Sequence, residues 1–187
     1  LALLAAAVAA LPGLGTDTAD ATPRPRPNVI VVMSDDQTVE SMRVMGNVNS
    51  RLAEFGVTFA NRFVSYPRCC PSRATLLTGQ YGHNHGTMSN SPPLGGFDKF
   101  NGEHGGNALP GWLQGDGYYT IEVGKYLNGY GTADTQTLVP EGWTEWYGAV
   151  EGVQNVYDYA LNENGTLVQY GDDIEDFKQD VNTRRAD

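Results

Sequence analysis

The sequence predicts an α/β chain, a sheet with helices on both of its faces. Two observations lead there. Short apolar runs rich in β-branched residues alternate with segments that carry helix start and stop signals. The residues with the most chemical potential, Asp35, Asp36 and Lys125, each fall just after one of those runs, and open α/β sheets form their sites beyond the carboxyl ends of the strands. At 187 residues the chain is long enough for one domain of ordinary size, and it contains no internal repeat.

Taken in order, Asn28–Met33 is an apolar run between Pro27 and the acids, and reads as a buried strand. Asn49 is placed to cap a helix through about Phe55, with Gly56 as its stop. Val57–Val64 alternates enough to be a second strand. Pro71–Leu77 reads as a helix, with proline at its first position and Gly79 after its last turn. Tyr81–Gly106 is dense in Gly, Asn, Pro and His, which predicts an irregular surface excursion. Asn107 is placed to cap a short helix containing Leu109, Trp112 and Leu113, and Tyr118–Val123 is the third strand, ending at Gly124-Lys125. Beyond Val139 come Trp143, Trp146, Tyr147, Tyr157 and Tyr159, which predict a lid or small hairpin. The polar stretch at Arg184-Arg185-Ala186-Asp187 reads as an unfinished helix.

Bulk properties exclude some roles. Twenty-two acids against twelve bases give a formal charge of −10, which argues against a nucleic-acid binder with its basic stripe. An anionic substrate is not excluded, because a local site can be positive on an acidic protein. Leu1–Leu11 is an unbroken apolar run, too short to span a bilayer, which takes about 20 residues. It fits the apolar region of a secretory leader, and Ala19-Asp20-Ala21 supplies a cleavage site. Residues 1–21 are therefore read as a partial signal peptide, 22–27 as a proline-rich linker and 28–187 as the folded domain of an exported protein. The expected location is extracellular.

The two cysteines, Cys69 and Cys70, are adjacent. Their Cα atoms lie about 3.8 Å apart across a trans peptide, short of the ~4.4–6.8 Å usual for a disulfide. A structural bridge is disfavoured, which points to chemistry at one of them. The helix N-terminus they open presents free N–H groups to an oxyanion, and Arg73 and Lys125 add positive charge. Adjacent carboxylates at Asp35-Asp36 suit a hard divalent cation. A metal, an anion hole and a nucleophile together describe phosphoryl or sulfuryl transfer.

Cys69-Cys70-Pro71-Ser72-Arg73 followed by Thr78-Gly79 matches the C-x-P-S-R…T-G signature of the type I, formylglycine-dependent sulfatases, and the chain resembles that family over most of its length. Pro27-Asn28-Val29-Ile30 leading to Asp35-Asp36 is similar to the family's first strand and metal acids, and Gly124-Lys125-Tyr126-Leu127-Asn128 to its lysine motif. The resemblance implies the alkaline phosphatase-like sulfatase fold, with a central mixed sheet flanked by helices. It also implies that Cys69 is oxidised to formylglycine (3-oxoalanine) by a formylglycine-generating enzyme that reads Pro71 and Arg73. One hydroxyl of the hydrated aldehyde attacks sulfur, and the other expels sulfate. On the same resemblance Arg73 holds the hydrate, Lys125 the sulfate, and Asp35 and Asp36, with the modified Cys69, a calcium ion. Cys70 has no assigned role.

The doubled cysteine, Tyr81-Gly82-His83-Asn84-His85, the Lys125–Asn128 form and Gly142–Tyr147 resemble the N-acetylglucosamine-6-sulfatase branch. That implies a sulfated sugar substrate, a glucosamine 6-O-sulfate, with His83 and His85 as candidate substrate contacts. Leu127 stands where many sulfatases have a histidine, which leaves the general base unassigned. The family's second metal pair, Asp-Asn, does not occur in the sequence, so the chain is expected to be an N-terminal part of a longer sulfatase and incomplete as a catalyst alone. Two rivals stand beside this reading. One is a formylglycine-dependent phosphodiesterase or phosphonate monoester hydrolase, and the other is an inactive secreted carbohydrate-binding relative.

Overall fold

The computed structural model describes residues 26–151 and 153–187. The chain divides into two compact units, Leu1–Ser34 and Asp35–Asp187. The expected leader and most of the linker lie outside the described residues. The described part of the first unit is extended and exposed, with no strand at Asn28–Met33. The expectation of a buried strand fails there. An apolar run becomes a strand only when another strand takes its N–H and C=O groups, and none of the three strand pairings among the described residues includes it.

The second unit opens with a 3-10 turn at Glu40–Val44, a short helix α1 at Gly46–Val48, and a wider turn at Asn49–Ala53. Helical backbone thus begins before Asn49, which sits inside it instead of capping it. The Asn49 amide nitrogen reaches back to donate to the Met42 carbonyl at 3.0 Å. The wider turn closes five residues back, Glu54 N–H on Asn49 O. Val57–Val64 forms no strand and is exposed, a second correction with the same cause as the first.

Helix α2 spans Cys69–Thr78, which bears out the stop at Gly79, but it begins two residues before Pro71, the expected first position. Pro71 lies in the first turn, where a missing N–H costs nothing. Gly79 ends the helix at φ 67° and donates to Thr75 O at 2.9 Å, a left-handed cap that glycine adopts without strain. Cys70, Ala74, Leu77 and Thr78 recur at helical spacing and form the buried face. The stretch read as an irregular excursion instead contains α3 (Gly82–His85) and α4 (Phe97–His104). Phe97 and Phe100, one turn apart, carry α4 into the core. Helix α5 (Leu109–Gly115) follows, with Pro110 in its first turn.

Four strands form one sheet in the order β1 (Ile121–Gly124), β2 (Glu145–Glu151), β3 (Tyr159–Glu163) and β4 (Thr166–Tyr170). The β1–β2 pair is parallel and the others are antiparallel, so the sheet is mixed. Asn164 and Gly165, at φ 52° and 92°, make the two-residue β3–β4 turn. The aromatic segment expected to be a lid is therefore the body of the sheet. Strand alternation sorts the side chains onto two faces. Trp146, Val150 and Ala160 pack with Cys70, Ala74, Phe97 and Phe100 from α2 and α4. Ala149, Tyr159 and Leu161 pack on the other side with Val181 of α6 (Lys178–Ala186). Helices cover both faces, as the fold class requires.

Tyr130 organises the first core. Its hydroxyl accepts from Trp146 Nε1 at 2.6 Å and Asn162 Nδ2 at 2.9 Å and donates to Leu138 O at 2.7 Å. The buried Asn162 spends its remaining capacity on Leu138 O and Gly165 N–H. Polar groups this deep are tolerable because each has a partner.

Candidate active site

Helix α2 brings Cys69 to the half-exposed rim of the unit while burying Cys70 completely. Adjacent helical positions point about 100° apart, so one residue faces the core and its neighbour the opening. The Cys69 thiol lies 3.4 Å from Asp35 Oδ1. Arg73, one turn along the same helix, places Nη2 3.2 Å from Asp35 Oδ2 and also donates to the Lys125 carbonyl. Lys125, one residue past β1, places Nζ 2.5 Å from the same Asp35 Oδ2. Gly124 leaves the strand at φ 104°, a backbone region open to glycine, and so turns Lys125 toward the acid.

Ligand atoms of Asp35, Asp36 and Cys69 all lie within 4.8 Å of one another. Asp36 reaches this cluster from a left-handed backbone position at φ 52°, which aspartate tolerates better than most residues. The structure thus gathers Cys69, Arg73, Lys125, Asp35 and Asp36, which are separated by up to ninety residues in the chain.

Burial alone would raise the Asp35 carboxyl. The Lys125 hydrogen bond and charge, the Cys69 hydrogen bond and the Arg73 charge outweigh it and hold Asp35 below its ordinary value. Burial pushes the Cys70 thiol up, partly opposed by the backbone amides of Gly96 and Asn128 that point at it. A thiol kept protonated and closed off from solvent is unreactive.

The two histidines separate. His83 is exposed and stacks on Tyr81, with ring centroids 6.0 Å apart. His85 is buried, and both ring nitrogens are engaged: Thr87 N–H donates to Nδ1 at 3.1 Å, so Nε2 carries the proton and donates to Thr75 Oγ1 at 3.1 Å. Burial and the neighbouring His104 lower its pKa. In this arrangement His85 presents no ring nitrogen to a ligand and braces α2 instead.

Two residues near the site went unread in the sequence. Asn90 Oδ1 accepts from the Cys70 amide at 3.0 Å, and nothing in a Ser-Asn-Ser-Pro loop signals such a contact. Glu122 on β1 is pushed up to about 8 by burial, opposed by the Arg73 charge. A lone acid inside an apolar strand was the available signal for it.

The family model described as Sulfatase matches residues 27–183. N-acetylglucosamine-6-sulfatase of Capra hircus is 37% identical over 163 residues, 83% of this chain and 29% of that protein. The extracellular sulfatase SULF-1 homolog of Drosophila melanogaster is 35% identical over 150 residues, 79% of this chain and 13% of that one. The chain therefore spans under a third of the length of these curated relatives. A solved structure, BT4656 in complex with its substrate D-glucosamine-2-N,6-O-disulfate, matches with a TM-score of 0.61 at 26% identity, covering 79% of this chain and 28% of that one. The likeness extends to the alkaline phosphatase-like architecture. No helix among the described residues is long and apolar enough to cross a membrane.

Proposed function

This chain belongs to the sulfatase family, and on that premise we propose that it carries the nucleophile-bearing part of a sulfuric ester hydrolase acting on a sulfated sugar, a glucosamine 6-O-sulfate. The observation that carries the reading is the convergence of Cys69, Asp35, Asp36, Arg73 and Lys125 in one place. The N-acetylglucosamine-6-sulfatase relative and the sugar disulfate in the solved neighbour support the substrate class.

Cys69 is the residue converted to formylglycine, whose hydrate supplies one hydroxyl to attack sulfur and a second to release sulfate. The donor set supports conversion. Asp35 and Asp36 offer hard oxygens suited to calcium, whereas a cysteine sulfur is a soft ligand that calcium disfavours. An oxygen at position 69 makes the three donors consistent, and calcium held there would neutralise charge on the sulfate. Arg73 orients the group at 69 from the next turn of its own helix. Lys125 brings a second cation to the same spot and binds the sulfate oxygens. Pro71 is fully buried, so a formylglycine-generating enzyme that reads it acts before folding is complete. That timing fits an exported protein whose leader is residues 1–21, with its sulfated substrate outside the cell.

Mass analysis of the tryptic peptide Cys69–Arg73 from protein exported by its own host tests the conversion. Finding only the thiol would count against the mechanism and favour an inactive binding relative. Parallel assays of the complete protein on glucosamine 6-sulfate and on an aryl phosphodiester test the substrate. Faster phosphodiester turnover would replace the sulfatase reading with the phosphodiesterase one.

A further inference from the structure

We infer that Asn90 is a positioning residue for the reacting group at position 69, a deepening that rests on the function proposed above. Helix α2 starts without a local cap. Arg68, the residue before it, makes no side-chain cap, and the first intrahelical bond is Ser72 N–H to Arg68 O at 2.9 Å. The first-turn amides have no partner within the helix. Pro71 has no N–H, which leaves the amides of Cys69 and Cys70. Asn90 Oδ1 takes the Cys70 amide at 3.0 Å from twenty residues away. The residue that this bond fixes is the immediate neighbour of Cys69.

The loop that carries Asn90 is itself clamped. Met88 N–H bonds Leu94 O at 2.6 Å and Gly96 N–H bonds Ser89 O at 3.1 Å, on either side of Asn90. Gly95 lies so close to the opposite side of the loop that a Cβ there would meet Ser89 O at 1.7 Å. The loop then leaves through Phe97, whose N–H bonds Asn128 O at 2.7 Å. Phe97 packs edge-on against Tyr126 and Tyr130. One end of this loop therefore grips the start of α2 and the other grips the segment that follows Lys125. Asn90 completes a brace that sets the first turn of α2, and with it Cys69, in register with Asp35 and Lys125.

The test uses the complete protein, with Asn90→Ala, Asn90→Asp and Gly95→Ala compared with the parent. Asn90→Ala should lower kcat by about 10²-fold, the effect of an ångström-scale misplacement, with KM within about twofold. Hydrogen exchange at the Cys70 amide should accelerate on the order of tenfold, the equivalent of one lost hydrogen bond, while exchange in α4 and β2 stays at the parental rate. Asn90→Asp keeps an acceptor at the helix N-terminus and should restore both protection and kcat. Gly95→Ala opens the loop and should reproduce Asn90→Ala. Parental kcat and parental Cys70 exchange in Asn90→Ala would overturn the inference, as would acceleration spread equally over α4 and β2. A parent inactive on sulfate esters would instead overturn the function proposed above, and the Cys70 exchange would then decide the brace by itself.

Discussion

Residues 35–68 and residues 69–187 contribute to one site by different means. The second stretch places Cys69, Arg73 and Lys125 on packed elements: α2 is seated on buried Ala74 and Leu77, and Lys125 hangs from a sheet with Trp146 at its centre. In the first stretch no residue through Arg68 is buried, and Phe63 is 86% exposed while Phe100 on α4 is 1% exposed. Asp35 meets the site through its ion pairs with Arg73 and Lys125 and the contact with Cys69. The cationic half is thus preorganised by burial, and the acidic half is gathered by the charges it meets. Burial is insensitive to salt and pH in a way that partly exposed ion pairs are not.

The largest expected effect follows from removing the charge that joins the halves. Asp35→Asn should lower turnover of the sulfate ester by at least the 10²–10³-fold typical of losing one electrostatic contact in a catalytic site. It should also change the acid limb of stability. The folded Asp35 carboxyl lies below its unfolded value, so its contribution is complete above an unfolded pKa of about 3.9 and disappears as pH falls through the lower folded value. Acid titrations of parent and Asp35→Asn should therefore diverge above that window and converge below it. Parallel curves throughout would mean that the ion pairs do not join the halves.

The same division marks what could be read from the sequence. Helix α2 was legible at its C-terminal end, where the left-handed backbone at Gly79 stops it locally, but it starts at Cys69, two residues before the proline expected to open it. The types and order of Asp35, Asp36, Cys69, Arg73 and Lys125 marked them as a candidate group, and in the structure these side chains do meet. The lack of strands at 28–33 and 57–64 was not legible, because a strand depends on a partner elsewhere in the chain that an apolar run cannot specify. Between Tyr81 and Gly106 the glycines and asparagines masked the Phe97–Phe100 spacing that seats α4. His85 looked available because helix α2, which meets it through Thr75 ten residues back, closes over it only in three dimensions. Asn90 was invisible for the same reason.

Within the packed half, Tyr130→Phe keeps the ring and removes one hydroxyl. Trp146 Nε1 then loses its acceptor inside the core, which should cost about 1–3 kcal/mol in chemical unfolding. Asn162 Nδ2 retains Leu138 O, so the loss should stay at the low end of a buried-network deletion. A neutral result would mean that the core admits water at that point.

A smaller, pH-dependent effect belongs to Lys178. It is buried, with Nζ 4.5 Å from the Tyr159 ring centroid and 3.3 Å from Val153 O, and burial lowers its pKa to about 8 from 10.5. A folded value below the unfolded one means that the unfolded chain binds more protons between those limits. Stability gained from this group therefore rises with pH from about 8 to 10.5, with a slope of at most ~1.4 kcal/mol per pH unit. Lys178→Met should remove that component of the slope. A variant whose pH profile follows the parent across this range would place the ammonium in water.

The smallest effect should come from the exposed stretch. Phe59→Ser, measured in the 187-residue chain, removes a ring that lies mostly in solvent. Its effect on chemical unfolding should stay within about 0.5 kcal/mol, as for ordinary surface substitutions. The contrast with Tyr130→Phe is then the comparison of the two regions reduced to numbers. Deleting one atom from the packed half costs more than deleting a whole ring from the other. If the Phe59→Ser loss grows to several kcal/mol when the same substitution is made in a longer form of the protein, the ring is covered there by polypeptide outside these residues. The acidic half of the site would then owe its position to packing after all, and the Asp35→Asn stability difference should shrink in that longer form. Finding both changes together would replace charge by burial as the force that gathers the acids; finding neither would leave the ion pairs as the link.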